Sequence, residues 1–225
     1  MKIEIICATR LSENEFWKSA ALGLSLKRLA FDKRIRPGIV FSNPDGLPIV
    51  YNKGIIAADD DSMLVFIHDD VWIDDYFFYQ RIEEGLRHFD IIGVAGNRRR
   101  TARQPAWAFI SIPFAWDVRS NLSGTVAHGK HPFGLVSNYG AVPAECELLD
   151  GVLLAAKKSV LTASGCLFDE GFDFHFYDMD FCRTARLKSL KLGTWPVSLT
   201  HQSGGNFGTE KWLESYRNYL DKWGE

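Results

Sequence analysis

Met63-Leu64-Val65-Phe66-Ile67-His68-Asp69-Asp70-Val71 is the stretch on which the fold turns. Its first five residues are apolar without alternation, the pattern of a strand buried on both faces in a sheet flanked by helices. Such a strand holds no charge in its interior, yet it runs straight into His68, Asp69 and Asp70. Open α/β sheets bind their ligands beyond the carboxyl ends of the strands. Two adjacent carboxylates there repel each other unless a cation or a donor-rich ligand offsets the repulsion. Hard divalent ions, Mg²⁺ or Mn²⁺, take oxygen ligands and bridge them to phosphates. A solvated acidic loop is the alternative, because Asp59, Asp60, Asp61, Asp74 and Asp75 lie close by.

Upstream, residues 3–8 (Ile-Glu-Ile-Ile-Cys-Ala) read as a first strand. Ser12 with Glu15 three residues on marks a helix start that carries an apolar stripe to Ala30. Pro37-Gly38 breaks the chain before a short strand at 39–41, which closes in the turn cluster Ser42-Asn43-Pro44-Asp45-Gly46. Residues 48–58 form a second helix with Tyr51, Ile55 and Ile56 inward and Asn52-Lys53 outward. The first seventy residues thus read β-α-β-α-β, a parallel sheet with crossover helices. Strand ends near Thr9, Asn43 and Asp70 then face a nucleotide-sized crevice. Neither GxGxxG nor GxxxxGK[ST] occurs, so a phosphate group here needs a metal instead.

Downstream, residues 76–88 are spaced as a helix, and 91–96 as a short buried strand. Arg98, Arg99, Arg100 and Arg103 are the one strong positive run, either a solvated loop or a contact for an anionic or lipid-diphosphate acceptor. Residues 101–146 are irregular and rich in Trp, Phe, Pro, Gly and Ser, the look of a functional loop insertion. Asp150-Gly151 opens another buried strand, followed by a short helix. At Tyr177-Asp178-Met179-Asp180 an amphipathic helix begins. Free amides and the helix dipole at such a start favour an ionised carboxylate, as a general base requires; plain capping is the commoner role. A strand at 193–200 delivers His201 to a glycine-rich loop, and residues 210–223 form a helix whose Trp212, Tyr216 and Trp223 stripe reads as core.

At 225 residues and 46% hydrophobic content the chain suits one domain. A formal charge of -2 gives no basic field, so no nucleic-acid partner is expected. Four cysteines without CxxC spacing suit a reducing compartment. With no signal-peptide core and no apolar run near the roughly 20 residues that span a bilayer, a soluble, cytoplasmic protein is expected.

The order of these features resembles the GT-A nucleotide-sugar glycosyltransferases, in particular inverting, family-2-like transferases of bacterial surface polysaccharides. The resemblance runs over nearly the whole chain: Asn52-Lys53-Gly54, His68-Asp69-Asp70, Asp150-Gly151, Phe176-Tyr177-Asp178-Met179-Asp180 and the Pro196-to-His201 segment. It implies an α/β, GT-A-like (Rossmann-like) fold with a mostly parallel central sheet and helices on both faces. Residues 1–75 would be the nucleotide-binding half and 76–225 the acceptor and catalytic half of a single domain. His68-Asp69-Asp70 matches the family's DxD, which makes Asp70 a metal ligand joined by His201, with Thr9, Asn43 and Asp69 holding the nucleotide. His68 stands where the motif has its first Asp, and Tyr177 where the family has a Glu before its base. Asp178 would be the base, and Asp150, Gly151 and Asp180 would face the acceptor. The implied reaction moves a sugar from a nucleoside-diphosphate donor, UDP by resemblance, to a hydroxyl of a saccharide or lipid-linked saccharide. Mn²⁺ or Mg²⁺ would be the cofactor, and peripheral membrane contact is compatible. A non-catalytic binding or assembly domain and a nucleotidyltransferase are the alternatives.

Overall fold

The computed structural model describes residues 1–225 as two large sheets whose strands continue from one into the other, with a separate two-stranded hairpin at 109–116. The first half holds β1 (Ile3–Ala8), α1 (Glu13–Ser19), α2 (Ala21–Arg28), β2 (Ile35–Val40), α3 (Leu47–Ala57), β3 (Met63–Ile67) and β4 (Val71–Ile73). Next come α4 (Phe78–His88), β5 (Ile91–Gly93), β6 (Ala95–Asn97), β7 (Phe109–Ser111), β8 (Ala115–Trp116), β9 (Leu122–His128) and β10 (Leu135–Gly140). The remainder is β11 (Ala144–Glu145), β12 (Leu148–Leu149), β13 (Leu153–Lys157), α5 (Lys158–Ser164), α6 (Tyr177–Leu187), β14 (Leu192–Thr194), β15 (Leu199–His201) and α7 (Glu210–Trp223).

The main sheet has the order β11-β14-β5-β13-β3-β1-β2. β1 pairs parallel with β2 and β3, as expected of the β-α-β-α-β half, and β14 pairs parallel with β5. β13, however, lies antiparallel between β3 and β5, and β11 is antiparallel to β14. The sheet is therefore mixed rather than mostly parallel. Continuous apolar runs such as Leu153-Leu154-Ala155-Ala156 report burial on both faces, which is blind to strand direction. Every residue of β3 is buried, in agreement with its lack of alternation.

A second sheet, β12-β6-β9-β15-β4 with β10 on β9, absorbs much of the segment 101–146 that reads as loop. Its short strands escape the hydrophobic period because the chain changes sheet in mid-run. The runs at 91–96 and 193–200 each split into two strands, one per sheet, around Val94 and around residues 195–198. β3 passes into β4 through His68-Asp69-Asp70, and β12 into β13 through Asp150-Gly151-Val152.

Several local expectations hold, and three shift. Ser12 and Glu15 form the anticipated capping box. The chain goes extended at Ala20, so one helix becomes α1 and α2. β2 runs through Pro37, tolerated because β2 is an edge strand with no neighbour needing that amide. Asn52 points inward, not outward: its amide donates to the Phe168 carbonyl (2.9 Å) and its oxygen accepts from the Phe168 amide (2.9 Å). All four cysteines are free and buried.

Two arginines of the run are engaged structurally. Arg99 pairs with the fully buried Asp117, which also accepts from Asn97, Asn121 and the Val118 amide; Arg100 pairs with Glu225. The Arg99 hydrogen bonds hold the Asp117 pKa well below the usual carboxylate range against the opposing effect of burial. Its stabilisation is full above the unfolded pKa of about 4 and is lost as pH falls toward the depressed native value. Asp117→Asn should lower the Tm by several degrees at neutral pH, and calorimetry should show the gap narrowing as pH drops below about 4.

Candidate metal centre and base

The site lies where the chain crosses between the sheets. Leu153 pairs with Ile67, so the turn before β13 sits beside the turn after β3, and the His68 amide reaches the Val152 carbonyl (3.4 Å). β15 lies antiparallel to β4 with His201 opposite Val71, which brings His201 Nε2 within 3.2 Å of Asp70 Oδ1. His68 completes a cluster in which one ligand atom from each of His68, Asp70 and His201 lies within 4.8 Å of the others. Two imidazoles and one carboxylate can hold a metal ion, and this mixed set fits a transition ion such as Mn²⁺ better than the all-oxygen preference of Mg²⁺.

The charges suit that use. Burial and the neighbouring His201 lower the His68 pKa, leaving a neutral imidazole with a lone pair to offer. Burial pushes Asp70 up, but hydrogen bonding and charge from His201 outweigh it and hold Asp70 at about 2. Burial pulls His201 down, and the Asp70 carboxylate more than reverses that, so its pKa is raised. Ligation requires His201 without its proton, so affinity for a cation weakens as pH falls.

Asp178 stands in the first turn of α6. Phe176, at its N-cap, has a left-handed backbone (φ 66°), an uncommon conformation for a bulky residue. Its ring is anchored against Trp212, Tyr216 and Tyr219 of α7, at centroid distances of 5.1, 5.4 and 5.2 Å. The Asp178 carboxylate accepts from the Gly151 amide (3.0 Å) and from the Met179 amide (2.8 Å). Those bonds do not keep its pKa low, contrary to what a helix start suggests. Burial, then the nearby Asp150 carboxylate, raise it to about 7. Gly151 is confined to glycine by contact: a Cβ there would collide with the Tyr177 hydroxyl and sit 2.9 Å from Asp178 Cβ.

Asp150, Gly151, Asp178, His68 and His201 open on one cavity of about 520 Å³. Its walls are aromatic, with Trp107, Phe109, Trp116, Tyr139, Phe207 and Trp212 prominent, and no lysine or arginine lines it. The glycine-rich loop forms part of the wall, with Phe207 packed on Phe109 and Phe114. Thr9, Asn43 and Asp69 share a second cavity of about 570 Å³, where the Thr9 hydroxyl donates to Asp69 Oδ2 (2.6 Å). Phe174 and His175 stand between the two cavities and line both. Asp180 faces neither: it is fully buried, paired with Lys222 (2.7 Å) and bonded by the Trp223 indole (2.9 Å). The carboxylate acting on Asp178 is Asp150 instead.

Sequence reasoning passed over Arg10, Asp45 and Lys211, which line the second cavity. Arg10 follows Thr9 at the same strand end, and Asp45 lies in the turn after Asn43, so both were within reach of strand-end logic. Lys211 arrives from α7, which no local pattern links to β1.

No protein-family model matches the sequence, and no curated protein matches it. Among solved structures, the chain is similar to GalNAc-T7 with UDP, GalNAc and Mn²⁺, at TM-score 0.55 and 10% identity over 98% of this chain and 48% of that one. The fold is GT-A-like. A Drosophila β1,4-galactosyltransferase 7 mutant in complex with manganese, UDP-Gal and xylobiose shares it at TM-score 0.51 and 8% identity, over 96% of this chain and 80% of that one. The chain thus spans about half the length of the first of these GT-A-like structures. At such identities the likeness is one of fold. No helix is long and apolar enough to cross a membrane.

Asp178 binds its proton more tightly in the folded chain than in the unfolded one, so stability falls as pH rises from about 4 to about 7. Asp178→Asn removes that slope. Its Tm, followed by calorimetry from about pH 4 to pH 8, should gain on the parent protein as pH rises, the gain levelling off above about 7.

Proposed function

We propose that the protein is a metal-dependent inverting glycosyltransferase that moves a sugar from a nucleoside-diphosphate donor to a hydroxyl of an uncharged saccharide. One observation carries the proposal: in a GT-A-like fold, a carboxylate poised near neutral pKa shares a cavity with two residues of the His68-Asp70-His201 cluster.

Asp178 is suited to be the base. A group with a pKa near the working pH is partly ionised and still takes up a proton readily. Each oxygen of its carboxylate accepts one backbone amide, which fixes its aim and leaves lone pairs for an acceptor hydroxyl. The acceptor oxygen forms its bond to the anomeric carbon while the bond from that carbon to the phosphate oxygen breaks. The electron pair leaves with the nucleoside diphosphate, and the hydroxyl proton passes to Asp178. His68, Asp70 and His201 would hold a cation, which would supply charge stabilisation for the departing diphosphate. Thr9, Asn43 and Asp69 suit the nucleotide, and Arg10 and Lys211 offer positive charge to its phosphates in the same cavity. UDP is the preferred nucleotide on family resemblance.

The aromatic cavity favours an uncharged acceptor. Sugar rings present C–H faces that stack on aromatic planes, and Trp116 and Tyr139 form a near-parallel pair (5.9 Å, 21°) on its wall. With two carboxylates and no lysine or arginine around it, the cavity repels an anionic acceptor.

Thermal unfolding with UDP, GDP, CDP and dTDP, each with and without Mn²⁺, tests the donor side. A diphosphate at a hundred times its Kd adds about 2.7 kcal/mol, a shift of a few degrees. The shift should require Mn²⁺ and vanish in Asp70→Ala. Asp178→Asn should keep the shift while turnover falls about 10²- to 10⁴-fold. Absence of any metal-dependent shift, or unchanged turnover in Asp178→Asn, would sink the proposal. Trp116→Ala should raise the acceptor KM with kcat largely retained, as steady-state kinetics would show.

A further inference from the structure

The residue that joins the metal cluster to the base is Tyr177. Its ring is buried, and its hydroxyl touches two groups: the Gly151 carbonyl oxygen at 2.8 Å and His68 Nε2 at 2.9 Å. A carbonyl can only accept, so the single phenolic proton goes to Gly151. The hydroxyl is then an acceptor toward the histidine, and His68 must carry its proton on Nε2. The ring nitrogen left with a free lone pair is Nδ1. On the other side of its Cα, the same residue, Gly151, donates its amide to Asp178 Oδ2.

We infer that Tyr177 is a positioning residue: its hydroxyl fixes His68 in the Nε2–H tautomer, leaves Nδ1 as the metal-binding nitrogen, and ties that ligand through the Gly151 backbone to the base. The inference rests on the metal-binding reading of the His68 cluster. A hydrogen-bonded partner on the non-ligating nitrogen of a histidine sets its tautomer and ring orientation, and losing such a partner typically costs 10- to 100-fold in metal affinity. A tyrosine does this without adding charge, unlike a carboxylate, in a cavity already holding Asp150 and Asp178. Tyr177 is also locked in place: its ring packs against Tyr51 and Phe168, at centroid distances of 5.8 and 6.0 Å.

Two measurements on the full chain test this. Mn²⁺ titration, followed by calorimetry or by the EPR signal of free Mn²⁺, should give a Kd about 10- to 100-fold weaker for Tyr177→Phe than for the parent. In the His68→Ala background, adding Tyr177→Phe should change the Kd no further, because the tyrosine acts through that histidine. An equal Mn²⁺ affinity for the parent and Tyr177→Phe, or additive losses in the double variant, would overturn the inference. The second measurement needs no metal: proton–nitrogen correlation spectra of ¹⁵N-histidine-labelled parent protein should show His68 protonated on Nε2 and bare on Nδ1. The opposite tautomer overturns the inference even if every variant misfolds. Failure of the parent to bind Mn²⁺ at all, with the Nε2–H tautomer present, would count against the metal reading and leave Tyr177 as the residue that sets the tautomer.

Discussion

The antiparallel pairing of β13 with β3 is the constraint on which the site depends. Because Leu153 opposes Ile67, the start of one strand meets the end of the other, and Asp150-Gly151 comes to lie against His68. A parallel β13 would send that turn to the far end of the sheet, leaving Asp178 without the Gly151 amide and Tyr177 without its carbonyl. The long-range β15–β4 pairing does the same for His201 and Asp70. Both are backbone registers, so the geometry of the polar groups is set by buried strands rather than by the loops that carry them.

The energetics of this corner work against one another. Burial and mutual repulsion raise the cost of ionising Asp178, while two amides and the approach of a helix start reduce it; the balance leaves the group near neutrality rather than deep in the acid range. In the His68-Asp70-His201 cluster, Asp70 has burial against it as well, yet a histidine at 3.2 Å reverses the outcome. One aspartate thus settles near neutral pH and the other well into the acid range, and the difference lies in whether a cation-forming partner stands within reach. Divergent carboxylates of this kind are how one site separates the group that takes protons from the group that stays charged.

Much of residues 1–75 was legible in the sequence, as was α7, because these elements are locally determined. The capping box at Ser12 and Glu15, the all-apolar run of β3 and the aromatic stripe of α7 each carry their own local signal. The second sheet was not legible, since strands of two or three residues such as β4, β6, β12 and β15 are too short to show a period. Asp180 illustrates another limit. Its spacing from Asp178 marks a helix start but not which way a side chain turns, and Lys222, more than forty residues on, decides that. Tyr177 carries the same lesson in reverse: as a departure from the Glu of the resembling family it looked like a missing carboxylate, while its partners show a hydroxyl engaged on both sides.

The aromatic lining of the cavity that Asp178 and His201 share bears on a competition every transferase faces. Water is far more abundant than any sugar alcohol and reacts at the same electrophilic carbon. A base at neutral pKa makes no distinction between the two oxygens. Discrimination then falls to the walls: an apolar enclosure of indole and phenyl rings holds water poorly, whereas a pyranose replaces solvent and keeps its contacts. Under the proposed chemistry, Trp107, Trp116, Tyr139 and Phe207 would set the ratio of transfer to futile hydrolysis, and a chain with the same base but a polar enclosure would spend its donor on solvent.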